Sequence, residues 1–209
     1  MKAAQINLIA AVLLLAGATG CASKPKPPCC RESKATGAIT GKSLYQLDST
    51  WTSDVGRRVK LEVFRGRPQV LAMFFTSCEF SCPIIVQGMK QIQESLPHEL
   101  REQVDFVLVT FDTERDTPPV LHAYRRRQGL GVDHWTLLCG QRDDVRELAA
   151  LLGISYQKDS RGQFAHSNVI TVLNAEGEVA FQETGLNQAH EDMIKRLTDL
   201  LSKRTGGAK

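Results

Sequence analysis

The chain has 209 residues, 42% of them hydrophobic, with a formal charge of +3 and six cysteines. Once the N-terminal stretch is set aside, that length suits one globular domain with its own core and is short for two catalytic domains. Lys and Arg are dispersed along the chain without the concentrated basic face that phosphate-backbone binding requires, so nucleic acid is not an expected partner.

Met1-Lys2, an apolar stretch over residues 6–16 and then small residues have the form of an export signal, too short for a comfortable membrane span. The stretch ends Ala18-Thr19-Gly20-Cys21, which is similar to the lipobox of bacterial lipoproteins, whose cysteine carries lipid and becomes the mature N-terminus. Residues 1–21 are therefore expected to be a signal segment with Cys21 lipidated. A plain cleaved signal or an uncleaved N-terminal anchor are the alternatives. Residues 22–42 open with Ala22-Ser23-Lys24-Pro25-Lys26-Pro27-Pro28, which cannot build a core and is expected to act as a stiff, solvated tether. The domain then spans residues 43–204, with a disordered tail at 205–209. The expected location is the periplasmic side of a bacterial cell envelope, membrane-anchored, where disulfides are permitted. The vicinal pair Cys29-Cys30 lies in the tether, where it could catch metal or form intermolecular disulfides but has no preorganised geometry.

Residues 70–75, all apolar, read as a fully buried strand. Cys78-Glu79-Phe80-Ser81-Cys82-Pro83 follows, and Pro83 suits the first turn of a helix, where its missing N–H costs nothing. Ile84, Ile85, Met89, Ile92 and Leu96 continue at helical spacing and predict a helix over residues 83–96. The two cysteines thus sit at a strand-to-helix turn. Free backbone N–H groups and the positive end of the helix dipole are expected to lower their thiol pKa values there, favouring the thiolate that metal binding and disulfide exchange both need. A small structural disulfide is the bland alternative, and its short loop would stabilise little.

Residues 104–111 read as a second core strand, and Thr117 can cap a helix that opens with Pro118-Pro119 and stops before Gly129. Arg125-Arg126-Arg127 falls at the end of that helix, where cations complement the dipole. Residues 135–139 read as another strand in which Cys139 behaves as a small buried hydrophobe, and Asp143 can cap a helix that Gly153 stops. An antiparallel hairpin is predicted from residues 169–173 and 178–182, then a final amphipathic helix around residues 191–202. The histidines His98, His122, His134 and His190 have no motif context and read as surface residues. Three βα units followed by ββα make an α/β chain of thioredoxin-like layout, a central mixed β-sheet flanked by helices.

Three segments together resemble the Sco/SenC family. Phe75-Thr76-Ser77-Cys78-Glu79-Phe80-Ser81-Cys82-Pro83 matches its aromatic-Thr-x-Cys-x-x-x-Cys-Pro signature. Asp112-Thr113-Glu114-Arg115-Asp116-Thr117 looks like its Asp-Pro-Glu-Arg-Asp-Thr run, with Thr113 in place of proline. His166-Ser167 stands before a strand, where the family has its lone histidine. The resemblance implies copper, Cu(I) or Cu(II), held by Cys78, Cys82 and His166. It also implies delivery of that copper to, or reduction of thiols at, the CuA site of a terminal oxidase or a related copper enzyme. Departures are Glu79 where proline usually follows the first cysteine, a shorter segment before His166, and Ala165 where an acidic residue often precedes the histidine.

Soft thiolates select Cu(I), and an added imidazole gives a three-coordinate set that also holds Cu(II) if a further ligand joins. All eight prolines lie at or before Pro119, so the seat that a late proline takes beside the cysteines of thioredoxin-type oxidoreductases has none, while His166 precedes the bordering strand. A monomeric metallochaperone is the leading reading. The alternative is a thiol-disulfide oxidoreductase that uses Cys78 and Cys82 as a redox pair without obligatory copper. A peroxidase of peroxiredoxin type lacks its expected proline upstream of the Thr-x-x-Cys motif.

Overall fold

A computed structural model describes residues 38–186 and 189–206. In chain order the strands and helices are β1 (Trp51–Ser53), β2 (Arg58–Val59), β3 (Gln69–Phe74), α1 (Ser81–Ser95), α2 (His98–Arg101), β4 (Asp105–Thr110), α3 (Pro118–Gln128), β5 (Trp135–Cys139), α4 (Arg142–Leu151), β6 (Tyr156–Lys158), β7 (Phe164–His166), β8 (Val169–Leu173), β9 (Val179–Thr184) and α5 (Glu191–Gly206). Seven strands form one sheet in the order β2-β1-β5-β4-β3-β8-β9, and β6 and β7 form a separate two-stranded ribbon. β3, β4 and β5 run parallel, while β8 pairs antiparallel with β3 and β9 antiparallel with β8. This is the mixed sheet with flanking helices that the order of elements predicted, and the fold is thioredoxin-like.

Every residue of β3 is buried, as a central strand covered on both faces requires. Its neighbours meet it in a register that sets Phe74 opposite Thr110, so β3 and β4 end side by side. The loops that carry the chemistry leave from that edge. At the opposite edge, Leu44 N–H donates to the Gly177 carbonyl and Ser43 Oγ to the Glu176 carbonyl, fastening the N-terminal segment to the β8–β9 turn. Ile39 already packs against the core. None of the described helices is long and apolar enough to cross a membrane. The expected signal, Cys21 and the Cys29-Cys30 pair lie outside the described residues.

Several local expectations change. α1 starts at Ser81 rather than Pro83, so Cys82 lies inside its first turn, and the N-cap is Phe80, which gives no side-chain cap. No Ser, Thr, Asp or Asn marks that start, which is why the proline was the visible signal. Thr117 is the N-cap of α3 but makes no side-chain cap bond, and Gly129 ends that helix at φ 64°. Gln141, not Asp143, caps α4, with Asp143 in its first turn.

Arg125 is not a solvated helix-end cation. Its guanidinium is buried and grips Asp54 with two hydrogen bonds of 2.6 Å, joining α3 to the segment after β1. His190 is likewise not a surface residue: it is 9% exposed, adopts φ 58°, and its Nδ1 lies 2.5 Å from Glu183 Oε1. Its ring sits against Gly88 of α1, where a Cβ would meet Nε2 at 2.4 Å, so any side chain at position 88 would displace the imidazole. His134 is mostly buried beside Glu102, whereas His98 and His122 are exposed.

Candidate metal centre

β3 hands the chain to Phe75-Thr76-Ser77, and Cys78 N–H bonds back to the Phe75 carbonyl at 3.2 Å. The loop is braced by Asp116, from the segment that follows β4. That buried carboxylate accepts the Thr76 N–H at 2.9 Å, the Thr76 hydroxyl and the Thr110 hydroxyl. Burial raises the Asp116 pKa, and these three bonds work against the rise. One residue thus pins the ends of β3 and β4 together where the thiols emerge.

The two thiols are free and unlike one another. Cys78 is partly exposed; its Sγ accepts the Cys82 N–H at 3.3 Å and lies 3.5 Å from Ser81 Oγ. Burial pushes its pKa up, but hydrogen bonds from Ser81, from Cys82 and from the Phe80 backbone outweigh that and bring it from 9.0 down to about 6. Cys82 is 0% exposed, and burial pushes its thiol well above 9.0, with Cys78 alongside adding to the rise. The expectation that the helix start lowers both thiols therefore holds for Cys78 and is corrected for Cys82. The first turn that supplies N–H groups to one sulfur also encloses the other.

His166 arrives on the β6–β7 ribbon, in register opposite Tyr156. No strand of the main sheet pairs with this ribbon. Side chains dock it instead. Phe164 packs on Phe75 and Phe111 with ring centres 5.2 and 5.0 Å apart, and Tyr156 stacks on Phe111 at 5.1 Å. The His166 ring itself lies 5.1 Å from Phe111. Such pairs contribute about 0.5–1.5 kcal/mol each beyond the area they bury. Polar ties come from the run after β4: Glu114 meets Lys158 of β6 at 2.6 Å, and Arg115 bonds both Asp112 and the Gly162 carbonyl in the ribbon turn. Adjacent residues Arg115 and Asp116 therefore hold the two halves of the centre, one the ribbon and one the cysteine loop.

The outcome is that Cys78, Cys82 and His166 offer ligand atoms all within 4.8 Å of one another, although Cys82 and His166 are 84 residues apart in sequence. His166 Nε2 is 3.6 Å from Cys82 Sγ and 2.9 Å from Ser81 Oγ, and Nδ1 is 3.0 Å from the Ser167 carbonyl. A carbonyl only accepts, so in the neutral ring Nδ1 carries the proton and Nε2 presents its lone pair to the thiols. Two sulfurs and one such nitrogen suit soft or borderline ions and not the hard cations that seek oxygen. A cleft of about 820 Å³ is lined by Phe111, Phe164, Arg142 and Tyr156 among others, and the three donors are not part of its wall.

Cys139 stays out of the cluster. Its Sγ lies 3.5 Å from the Thr52 carbonyl at the end of β5, and burial raises its pKa. Glu79 is exposed, and Phe80 stands 81% exposed beside the thiols. Reading from sequence missed Ser81, the one hydroxyl that touches both Cys78 and His166.

The SCO1/SenC family model matches residues 38–202, which takes in the whole of this arrangement. The chain belongs to the SCO1/SenC family. A Stutzerimonas stutzeri protein is 30% identical over 122 residues, a stretch spanning 56% of this chain and 58% of that relative's length. Among solved structures, this SCO1/SenC domain superposes on a SCO1/SenC family lipoprotein of Bacillus anthracis with a TM-score of 0.67 at 23% identity, covering 78% of this chain and 99% of the other. It superposes on copper-bound ScoI of Bradyrhizobium japonicum with a TM-score of 0.62 at 18% identity, covering 73% and 96%.

Proposed function

We propose that this SCO1/SenC protein takes up copper through Cys78, Cys82 and His166 and passes it to the CuA site of a respiratory oxidase or a related envelope copper enzyme. The observation that carries the reading is the convergence of two sulfurs and one lone-pair imidazole nitrogen within 4.8 Å, from segments far apart in the chain. The ligands are of the soft kind that Cu(I) prefers, and the imidazole extends the set toward Cu(II). Copper bound to the B. japonicum relative agrees with that chemistry. The partly exposed Cys78 and the exposed Phe80 lie on the side from which an acceptor would approach. The oxidase as recipient rests on the family resemblance. In this reading Cys21 carries lipid and the stretch from residue 22 up to Ile39, which packs on the core, tethers the domain at the periplasmic face of the membrane. The B. anthracis relative is a lipoprotein.

Titration of the purified domain with copper under reducing conditions tests the reading. One equivalent should be retained by the wild type, with weaker retention in Cys78→Ser, Cys82→Ser and His166→Ala. Absence of stoichiometric uptake by the wild type, or three variants indistinguishable from it, would sink the idea.

A second reading is supported by the inequality of the thiols. A Cys78 thiolate present at neutral pH beside a protonated, buried Cys82 is the pairing that thiol-disulfide exchange uses, one sulfur attacking and the other resolving. Such chemistry would prepare the recipient's cysteines for copper and needs no His166. Full disulfide reduction by His166→Ala would favour it.

A further inference from the structure

Ser81 is the first residue of α1, and its hydroxyl lies between two of the three donors, 2.9 Å from His166 Nε2 and 3.5 Å from Cys78 Sγ. The hydroxyl has one proton. His166 Nδ1 is already engaged by the Ser167 carbonyl, which leaves Nε2 as the acceptor on the ring, and at 2.9 Å it is the nearer partner. Nε2 has a single lone pair, so it serves either this hydroxyl or a metal ion. Once the metal takes it, the Ser81 proton must turn elsewhere. Cys78 Sγ stands within sulfur hydrogen-bond reach of the same oxygen.

We propose that Ser81 is a positioning residue that changes partners: its hydroxyl is shared between His166 Nε2 and the Cys78 sulfur until copper takes Nε2, and then donates to the metal-bound sulfur of Cys78 alone. This deepens the copper-binding reading and rests on it. In the first position the bond aims the imidazole at the thiols from a ribbon that has no backbone pairing to the main sheet. In the second it draws electron density from a coordinated sulfur. Sulfur donation stabilises Cu(II) through a strongly covalent bond, and hydrogen bonds to a coordinating sulfur are an established lever on metal potential. The serine therefore biases the loaded centre toward Cu(I), the state in which copper exchanges readily between thiolate sites.

The test compares wild type, Ser81→Ala and Ser81→Thr. Ser81→Ala should move the thiolate-to-copper absorption of the Cu(II) form to lower energy and raise Cu(II) affinity relative to Cu(I), measured by competition with chelators for each ion, by about tenfold. Ser81→Thr keeps the hydroxyl and should stay near wild type in both. In the copper-free protein, nitrogen NMR of His166 should show an Nε2 that loses a hydrogen bond in Ser81→Ala and keeps it in Ser81→Thr. An absorption band and affinity ratio in Ser81→Ala that equal the wild type overturn the partner change, as does a threonine variant that behaves like alanine. If wild type takes up no copper at all, the copper reading itself fails, a result separate from either of these.

Discussion

The cysteine loop and the histidine ribbon meet at one centre but are built by different means. The loop continues β3, a strand buried along its whole length and paired on both sides, and Asp116 locks it to the end of β4. The ribbon has three residues per strand and joins the molecule through rings and a few charged groups. Backbone pairing shares its cooperativity with the whole sheet, whereas side-chain docking can be loosened locally. The two sulfurs therefore form the fixed part of the centre, and His166 is the part that substitutions can move while the domain stays folded.

The largest effect should come from the fixed half. Asp116→Ala strands the Thr76 N–H and two hydroxyls, at a cost of about 3 kcal/mol in stability. Chemical denaturation would measure it, and a midpoint equal to wild type would show that the loop does not depend on this carboxylate. Next is Phe164→Ala, which removes one ring packed on both Phe75 and Phe111 and should cost about 2 kcal/mol. Because the loss falls on the ribbon, copper affinity should drop about tenfold while Cys78 and Cys82 keep their reactivity. Equal losses of thiol reactivity and affinity would erase the distinction between the halves.

Arg115→Ala should cost about 1 kcal/mol, since it frees a partly exposed side chain from Asp112 and the Gly162 carbonyl. Amide hydrogen exchange should quicken over residues 156–166 and stay slow over β3, and exchange that quickens equally in both would contradict the separation. The smallest effect leaves the fold untouched. With the Cys78 pKa lowered to about 6, its thiolate forms as pH rises through that value, so alkylation of the reduced, metal-free protein should climb and level off by neutral pH. Cys82, raised by burial, should stay unreactive until strongly alkaline pH. Simultaneous labelling of both near pH 8 would show that the sulfurs are equivalent after all.

The same division governs what the sequence reveals. The apolar run of β3, Pro83 and the spacing of Ile85, Met89 and Ile92 are local signals, and they place the cysteines at the strand-to-helix turn. His166 has no local signal, because its partners Phe75 and Phe111 belong to other elements; only the family resemblance singled it out. The ribbon strands are too short to show an alternating pattern, and Ser81 reads as an ordinary spacer between cysteines until the fold brings Nε2 to it. Arg125 and His190 look like surface groups for the same reason, since Asp54 and Glu183 become their partners only through tertiary structure.

X-ray absorption on the copper-loaded domain reads the ligand set itself. One copper should be bound by two sulfurs and one imidazole nitrogen, with the imidazole contribution lost in His166→Ala. A shell without sulfur, or an imidazole signal that persists unchanged in that variant, would contradict that ligand set.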